Sequence, residues 1–469
     1  MGTVASGERA SFLETYPSYE RTRALDDLRA REYPALDARG HTYLDFTAAN
    51  LYARSQVERH AALLVGNVFG NPHSTNPTSS LATDHIERAR SAVHRFFNAS
   101  PDEWTVVFTA NASHALKLVG ESYPFAADGR FLLTFDNHNS VNGIREFART
   151  AGAHSTYVPV MLPEMRVEDR DLEIELDRPG SGHNLFAFPA QSNFSGVQHP
   201  LEWIDRAHAA GWDVLLDAAA FTATNRLDLT HWSPDFVVQS LYKVFGYPTG
   251  VGCLLARRQA LGKLRRPWFA GGTITVASVQ GDKYYLAEGP AGFEDGTPDY
   301  LALSGVAFGF EHIEAVGMDL IHERVRCLTG WLLDRLLSLR HANGSPLVRL
   351  FGPASTERRG GIVTFNFYGP DRRPIDHRVV EGVANRANLS LRTGCFCNPG
   401  GGELALGITG TELTSCFRQA EHQTHLTLDD FRACIDGKST GAVRASLGLV
   451  SNLDDIDRFI AFAKEFIRQ

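Results

Sequence analysis

A chain of 469 residues is too long for one compact core and is expected to divide into at least two domains. Its composition is that of an ordinary globular protein, and a net charge of -8 argues against a broad nucleic-acid-binding surface, since phosphate neutralisation requires clustered Lys and Arg. No apolar run reaches the roughly 18 to 20 residues of a membrane-spanning helix, and the N-terminus lacks the apolar core of a signal peptide, so we expect a cytoplasmic protein whose partners are small molecules or proteins.

Seven short apolar runs alternate with helical patterns from about residue 105 onward. Several of these runs are apolar without alternation, which is typical of strands covered on both faces. The pattern predicts an α/β layer with a mostly parallel, seven-stranded sheet. The runs are TVVFT (105–109), RFLLTF (130–135), HSTYVPV (154–160), HNLFAFPA (183–190), WDVLLDAAAF (212–221), DFVVQS (235–240) and GVGCLLA (250–256).

The pattern changes after FEDGTPDY (293–300). A long helical periodicity follows over 312–340, and GGIVTFNFYG (360–369) reads as a strand. These features predict a large domain over residues 41–315 and a smaller α+β domain over residues 316–469. Residues 1–40 are expected to form an N-terminal segment that packs on the small domain.

A single lysine, Lys243, lies between a strand-like run and a glycine-rich turn in QSLYKVFGYPTGVG (239–252). A lysine amine in an apolar, partly desolvated setting has a lowered pKa and can attack a carbonyl to form a Schiff base. The structural alternative is a lysine that snorkels from a strand end. This stretch alone leaves both interpretations open.

Two other stretches fit a carbonyl that belongs to pyridoxal phosphate. The ring nitrogen of that cofactor needs a carboxylate to stay protonated, and Asp217 ends the run DVLLD one strand before Lys243. Ligands of open α/β sheets bind at the carboxyl ends of strands. In FTANASHALKLVG (108–120), Asn111 and Ser113 stand between a strand and a helix, where a phosphate binds well. Taken singly, Asp217 or Asn111 could be a helix cap.

Together these segments resemble the fold-type I pyridoxal phosphate enzymes of the class V aminotransferase and cysteine desulfurase superfamily. The resemblance covers nearly the whole chain and is closest to the N-terminal, desulfurase-like domain of molybdenum cofactor sulfurases. The passages that carry it are YLDFTAANLY, GNPHS, FTANASHALK, DNHNSV, FPAQSNFSG, LLDAAAF, SLYKVFGYPTGVG, FAGGTITV, FEDGTPDYL, RTGCFCNPG and GKSTGAVRASLG.

The resemblance implies a role for each residue of the cofactor site. Lys243 would form the Schiff base and Asp217 would pair with the pyridine nitrogen. His138 would stack on the ring and move protons, and Asn193 would reach the cofactor phenol oxygen or the substrate. The phosphate would be bound by a set of small polar side chains, one of them supplied by the second subunit of a homodimer: Asn111, Ser113, Ser240 and, from the neighbouring subunit, Thr273. Many desulfurases carry glutamine at the position of Ala220, so one donor to the phenol oxygen is missing.

The substrate-binding and thiol residues follow from the same resemblance. Arg444 would bind the substrate α-carboxylate as a planar fork, with Arg392 nearby. Cys397 falls on the active cysteine that carries the persulfide, with Cys395 as the second candidate. Such a thiol must be exposed, mobile and near positive charge.

The metal-binding alternative for the thiols is weak. The Cys395–Cys397 pair has no second closely spaced cysteine pair, and His422 and His425 have no clear third ligand. We therefore expect no metal. The six cysteines are expected to be reduced thiols rather than a disulfide framework.

The sequence thus predicts carbon–sulfur bond cleavage of L-cysteine or a cysteine derivative, with a persulfide on Cys397. The alternative is β-elimination, or decarboxylation with amine loss, on an S-substituted cysteine conjugate of natural-product biosynthesis. A catalytically inactive scaffold is disfavoured by the joint presence of Lys243, Asp217, His138 and Arg444. The loop departs from the sulfurase pattern Gly-Ala-Cys at 400–402, and the sequence ends at Gln469 without a molybdenum-cofactor-binding domain, so delivery to that cofactor in cis is not expected.

Overall fold

The computed structural model describes residues 2–419, 425–435 and 440–467. Fifteen strands are assigned within these ranges: β1 (Thr42–Tyr43), β2 (Trp104–Thr109), β3 (Arg130–Thr134), β4 (His154–Val158), β5 (Asn184–Pro189), β6 (Asp213–Asp217), β7 (Phe236–Ser240), β8 (Gly252–Arg257), β9 (Ile274–Ser278), β10 (Lys283–Leu286), β11 (Val348–Phe351), β12 (Ile362–Phe367), β13 (Leu389–Ser390), β14 (Arg392–Gly394) and β15 (Ala442–Ser446).

Nineteen α-helices accompany the strands in the same described ranges. They are α1 (Gly2–Thr15), α2 (Ala24–Glu32), α3 (Pro34–Ala38), α4 (Arg54–Gly66), α5 (Pro77–Phe96), α6 (Ala112–Ser122), α7 (Asn139–Asn142), α8 (Ile144–Thr150), α9 (Asp169–Leu176), α10 (Trp203–Ala209), α11 (Tyr242–Phe245), α12 (Arg258–Leu261), α13 (Tyr300–Val316), α14 (Met318–Leu337), α15 (His377–Arg386), α16 (Pro399–Leu406), α17 (Gly410–Gln419), α18 (Leu428–Cys434) and α19 (Leu453–Lys464). Two 3₁₀ helices span Pro17–Thr22 and Gly289–Phe293. Among the described helices, none combines the length and the apolar character needed to cross a membrane.

The central sheet has seven strands in the order β2-β8-β7-β6-β5-β3-β4. Neighbouring strands of this sheet are parallel, except that β8 is antiparallel to both β2 and β7. Strands β2, β5 and β7 are buried along their whole length, as continuous apolar runs in a covered sheet should be. The predicted α/β fold with a mostly parallel sheet is confirmed.

A second, antiparallel sheet has the order β11-β12-β15-β14. Helix α19 packs on it, with Phe365 of β12 edge-on against Phe459 of α19. The N-terminal segment contacts the same helix, because Nη1 of Arg29 lies 2.6 Å from Oδ2 of Asp455 and both side chains are buried. The domain boundaries at residues 40/41 and 315/316 remain a prediction from the sequence.

The helical periodicity over 312–340 corresponds to the end of α13 and to α14, which Gly317, with φ +90°, separates. One sequence-based expectation is wrong. The expectation that all cysteines are free fails for Cys416 and Cys434, which form a disulfide between α17 and α18. A separation of 18 residues in sequence gives no sign that two helices bring these thiols together.

Candidate active site

A cavity of about 330 Å³ opens at the carboxyl ends of β6 and β7. The two strands are adjacent and parallel, so their carboxyl ends meet at one edge of the sheet. Seven of the side chains expected from the sequence line this cavity: Asn111, Ser113, His138, Asn193, Asp217, Ser240 and Lys243.

Asp217 and Lys243 lie at the carboxyl ends of the neighbouring strands β6 and β7. Asp217 is the last residue of β6, and its Oδ1 accepts a hydrogen bond from the Ala219 amide at 3.0 Å. Lys243 lies in the short helix α11, directly after β7. Burial lowers the pKa of the Lys243 amine below its usual value, the charge of Arg444 lowers it further, and the Asp217 carboxylate opposes both. A larger share of the amine is therefore neutral and nucleophilic.

His138 precedes α7 and caps that helix. Its Nδ1 accepts a hydrogen bond from the Ser140 amide at 3.1 Å, so a neutral ring carries its proton on Nε2. Burial lowers the pKa of His138, and the positive charges of Lys243 and Arg444 act in the same direction against Asp217. At neutral pH the imidazole is thus poised to accept or return a proton through one nitrogen.

The other end of the cavity is built around the first turn of α6. The Asn111 side chain caps this helix by accepting from the His114 amide at 3.0 Å, and Ser240 Oγ accepts from the Ala112 amide at 2.9 Å. The Ser113 hydroxyl lies 2.6 Å from that of Ser140. The backbone is closely packed here, since a Cβ at Gly252 would lie 2.5 Å from the Asn111 carbonyl carbon. Hydroxyl groups at a helix N-terminus suit a phosphate.

These three groups of side chains fit one kind of ligand. An amine of lowered pKa suits an aldehyde, a carboxylate suits a basic ring nitrogen, and the start of α6 with its serines suits a phosphate. The residues present therefore fit pyridoxal phosphate.

The loop that carries the two thiols is attached to the wall of this cavity. Cys395 and Cys397 are both exposed. The Cys397 carbonyl accepts from the Asn139 amide at 2.7 Å, and Asn193 Nδ2 donates to the Phe396 carbonyl at 2.7 Å. Asn398 Nδ2 in turn donates to Asn193 Oδ1 at 2.9 Å. Thus Asn193 holds the thiol loop in place, a role that the sequence did not reveal.

The two arginines lie beside the cavity and are not among the residues that line it. Arg444 on β15 donates from Nη1 to the Asn193 carbonyl at 2.8 Å, and its guanidinium carbon is 4.7 Å from the centre of the Phe396 ring. Burial lowers the pKa of Arg444 to about 10. Arg392 on β14 donates from Nη2 to Asp45 Oδ2 at 2.6 Å.

Thr273 is the one predicted cofactor residue that lies away from the cavity. Its side chain is fully buried just before β9, where Oγ1 donates to the Ala270 carbonyl at 2.8 Å. Its assignment to the partner's cofactor site stays a prediction. As for metals, the described ranges hold no cluster of three or more His, Cys, Asp or Glu side chains able to bind one, and His422 lies outside those ranges.

Three site residues were missed from the sequence: Gln191, Asp45 and Asn398. Gln191 lines the cavity, and its Nε2 donates to the Ala220 carbonyl at 2.8 Å. Ala220 is the position at which the family resemblance suggested a glutamine. Each of the three lies in a passage that carries the family resemblance. Polar residues inside such passages are the signal that could have found them.

Comparison with known proteins agrees with this geometry. The sequence family described as Aminotransferase class-V matches residues 42–459. The molybdenum cofactor sulfurase of Solanum lycopersicum is 36% identical over 492 residues, and that of Homo sapiens 38% over 468, covering 97% and 94% of this chain. The chain spans 59% and 51% of those relatives' lengths. A solved apo cysteine desulfurase from Thermococcus onnurineus NA1 superimposes with a TM-score of 0.76 at 24% identity, over 94% of this chain and 97% of its own.

Proposed function

Because the chain belongs to the aminotransferase class-V family, we propose that it is a pyridoxal phosphate-dependent enzyme that removes sulfur from L-cysteine or a cysteine derivative, with Cys397 as the persulfide carrier. The observation that carries the proposal is the attachment of an exposed cysteine loop to the wall of a cavity that holds Lys243, Asp217 and His138. A nucleophilic thiol beside such a cavity is what desulfuration needs and β-elimination does not.

When bound, the cofactor supplies an electron sink for the bonds at the substrate α-carbon. Lys243 would hold its aldehyde and Asp217 would keep its ring nitrogen protonated. Ser113, in the first turn of α6, and Ser240, the last residue of β7, would bind its phosphate.

The remaining steps belong to side chains of this chain. Arg444 orients the substrate carboxylate, and Lys243 and His138 move protons at the substrate carbons. The Cys397 thiolate attacks the substrate sulfur, so that an S–S bond forms as the Cβ–S bond breaks. The electron pair of the broken bond stays with the substrate carbon, which takes up a proton, and the products are alanine and a persulfide on Cys397.

A homodimer in the cytoplasm is part of the proposal. Apolar side chains are exposed on the hairpin of β9 and β10, among them Val276, Val279 and Tyr285, and a second copy would cover them. Analytical ultracentrifugation is expected to give twice the chain mass of 51.6 kDa.

The product formed from L-cysteine tests the proposed reaction. Alanine together with a cyanolysable persulfide is expected, whereas pyruvate and ammonia would indicate elimination. Cys397→Ala should abolish the persulfide, while Cys395→Ala, an exposed thiol two residues away, serves as the matched control. Full turnover of L-cysteine or S-alkyl cysteines by Cys397→Ala, with no persulfide in the wild type, would reject desulfuration.

A further inference from the structure

Asp45 lies between the two arginines expected to bind the substrate carboxylate, Arg392 and Arg444, here called the arginine pair. Its Oδ2 is 2.6 Å from Nη2 of Arg392, and its Oδ1 is 3.4 Å from Nη2 of Arg444. The two arginines stand directly opposite each other on β14 and β15, so both side chains leave the sheet on one face. One carboxylate therefore offsets one of two neighbouring positive charges.

The two arginines of the arginine pair differ in how closely they contact Asp45. Arg392 has the short ion pair to Asp45, while the contact of Arg444 with Asp45 is long. Arg444 Nε is buried and has no hydrogen-bond partner among the described residues. Unsatisfied buried donors are costly, and a guanidinium binds a carboxylate best through two nitrogens. Arg444 thus keeps the capacity for one ligand carboxylate, and Arg392 is committed to Asp45.

We propose that Asp45 is a specificity-determining residue that restricts the arginine pair to ligands with a single carboxylate. This inference rests on the proposed function. The Arg392 side chain is 49% exposed, so a second acidic group on a ligand could reach it, and that group would meet the negative charge of Asp45. Amino acids with neutral side chains are then preferred over those with a second carboxylate or a sulfinate.

The test compares ligand affinities in the cofactor-loaded wild type and Asp45→Asn. Asparagine keeps an oxygen acceptor for the arginines and removes only the charge. Dissociation constants for L-alanine and L-aspartate are read from the absorption of the bound cofactor. We expect the affinity for L-aspartate, relative to that for L-alanine, to rise about tenfold at low salt, because a unit negative charge is lost in a partly buried site. An equal change in both constants, or a shift toward L-alanine, would overturn the inference.

Two variants sharpen this measurement. Asp26→Asn is the matched control and should leave the ratio unchanged, since Asp26, in the N-terminal segment, pairs with a different buried arginine, Arg324 of α14, at 2.7 Å. Adding Arg392→Gln to Asp45→Asn removes one positive charge and should restore the wild-type ratio. A ratio that stays shifted in the double variant would count against Asp45 acting through charge.

A second readout separates this inference from the proposed function. Phenylglyoxal modification of Arg392, mapped by mass spectrometry on the full chain without cofactor, should be faster in Asp45→Asn because the ion pair at 2.6 Å is lost. An unchanged rate would overturn the inference even if the enzyme is a desulfurase. Absence of any absorption change with either amino acid in the wild type would instead reject the proposed function.

Discussion

The two halves of the candidate site are fixed by different forces. Asp217 is the last residue of β6, and Lys243 lies in the short helix α11 that follows the adjacent strand β7, so the buried sheet sets where both side chains are anchored. The cysteine loop is exposed and is held by a few hydrogen bonds, such as those from Asn193 and Asn139. A side chain placed by a sheet is hard to displace, whereas one placed by hydrogen bonds moves when a single donor is lost. The two halves should therefore be separable by mutation.

The largest effect is expected from Lys243→Ala. Removal of the amine should lower turnover by at least roughly 1,000-fold, because the group that binds the aldehyde and moves protons is lost. Borohydride labelling with pyridoxal phosphate at residue 243 should vanish while circular dichroism stays unchanged. The matched control is Lys263→Ala, since Lys263 pairs with Asp213 at the opposite end of β6 at 2.5 Å. If Lys243→Ala retains the borohydride labelling and the turnover of the Lys263→Ala control, Lys243 does not belong to the cofactor site.

The half of the site that contains Lys243 and Asp217, here called the cofactor half, could be predicted from the sequence because the buried sheet positions its residues. Unbroken apolar runs mark covered strands, and polar residues at their carboxyl ends mark the ligand edge, which located Asp217 and Lys243. Ser240 was expected from the family resemblance. The thiol half rested on resemblance alone. Asn193 was expected to contact the cofactor or substrate; it lines the cavity, and its side-chain amide also bonds to Phe396 and Asn398, some 200 residues away in sequence. Contacts of this kind leave no local pattern.

The next largest effect is expected from Asn398→Ala. Asn398 Nδ2 donates to the carbonyl of Asp136 at 2.6 Å and to Asn193, so its loss removes two of the hydrogen bonds that hold the cysteine loop against the cavity wall. A displacement of about 1 Å costs up to roughly 100-fold in rate. Persulfide formation should fall 10- to 100-fold by this estimate, and cofactor binding should be unchanged.

A helix-capping role must be separated from that effect, because Asn398 also caps α16. Asn452→Ala removes the corresponding cap of α19, which lies outside the site, and should cost about 1 kcal/mol of stability with full turnover. If Asn398→Ala, like Asn452→Ala, loses only about 1 kcal/mol of stability and keeps full turnover, the loop is positioned by something other than Asn398. If Asn398→Ala loses both cofactor binding and persulfide formation, the two halves of the site are not separable by mutation.

The smallest effect on turnover is expected from Asp136→Asn, at the base of the loop that bears His138. Asp136 is fully buried, with Oδ2 3.0 Å from Nε2 of His199. The link to the cysteine loop uses its main-chain carbonyl, which asparagine retains, so turnover should fall by less than about tenfold. Stability should fall by about 1 to 3 kcal/mol at pH 7, since a buried charged hydrogen bond is lost.

The pH dependence of that stability loss identifies its cause. Burial by itself raises the pKa of Asp136, but His199 and hydrogen bonds from Thr134 and Ser192 outweigh it and hold the pKa below the usual value. The unfolded chain, with a pKa of about 3.9, then binds the proton more readily, so the carboxylate stabilises the fold above about pH 4 and loses that contribution as the pH falls further. In urea titrations the gap between wild type and Asp136→Asn should shrink from pH 7 to pH 3. A gap of constant size would mean that the loss comes from packing, and a turnover loss above about 100-fold would place the Asp136 charge within the cofactor half.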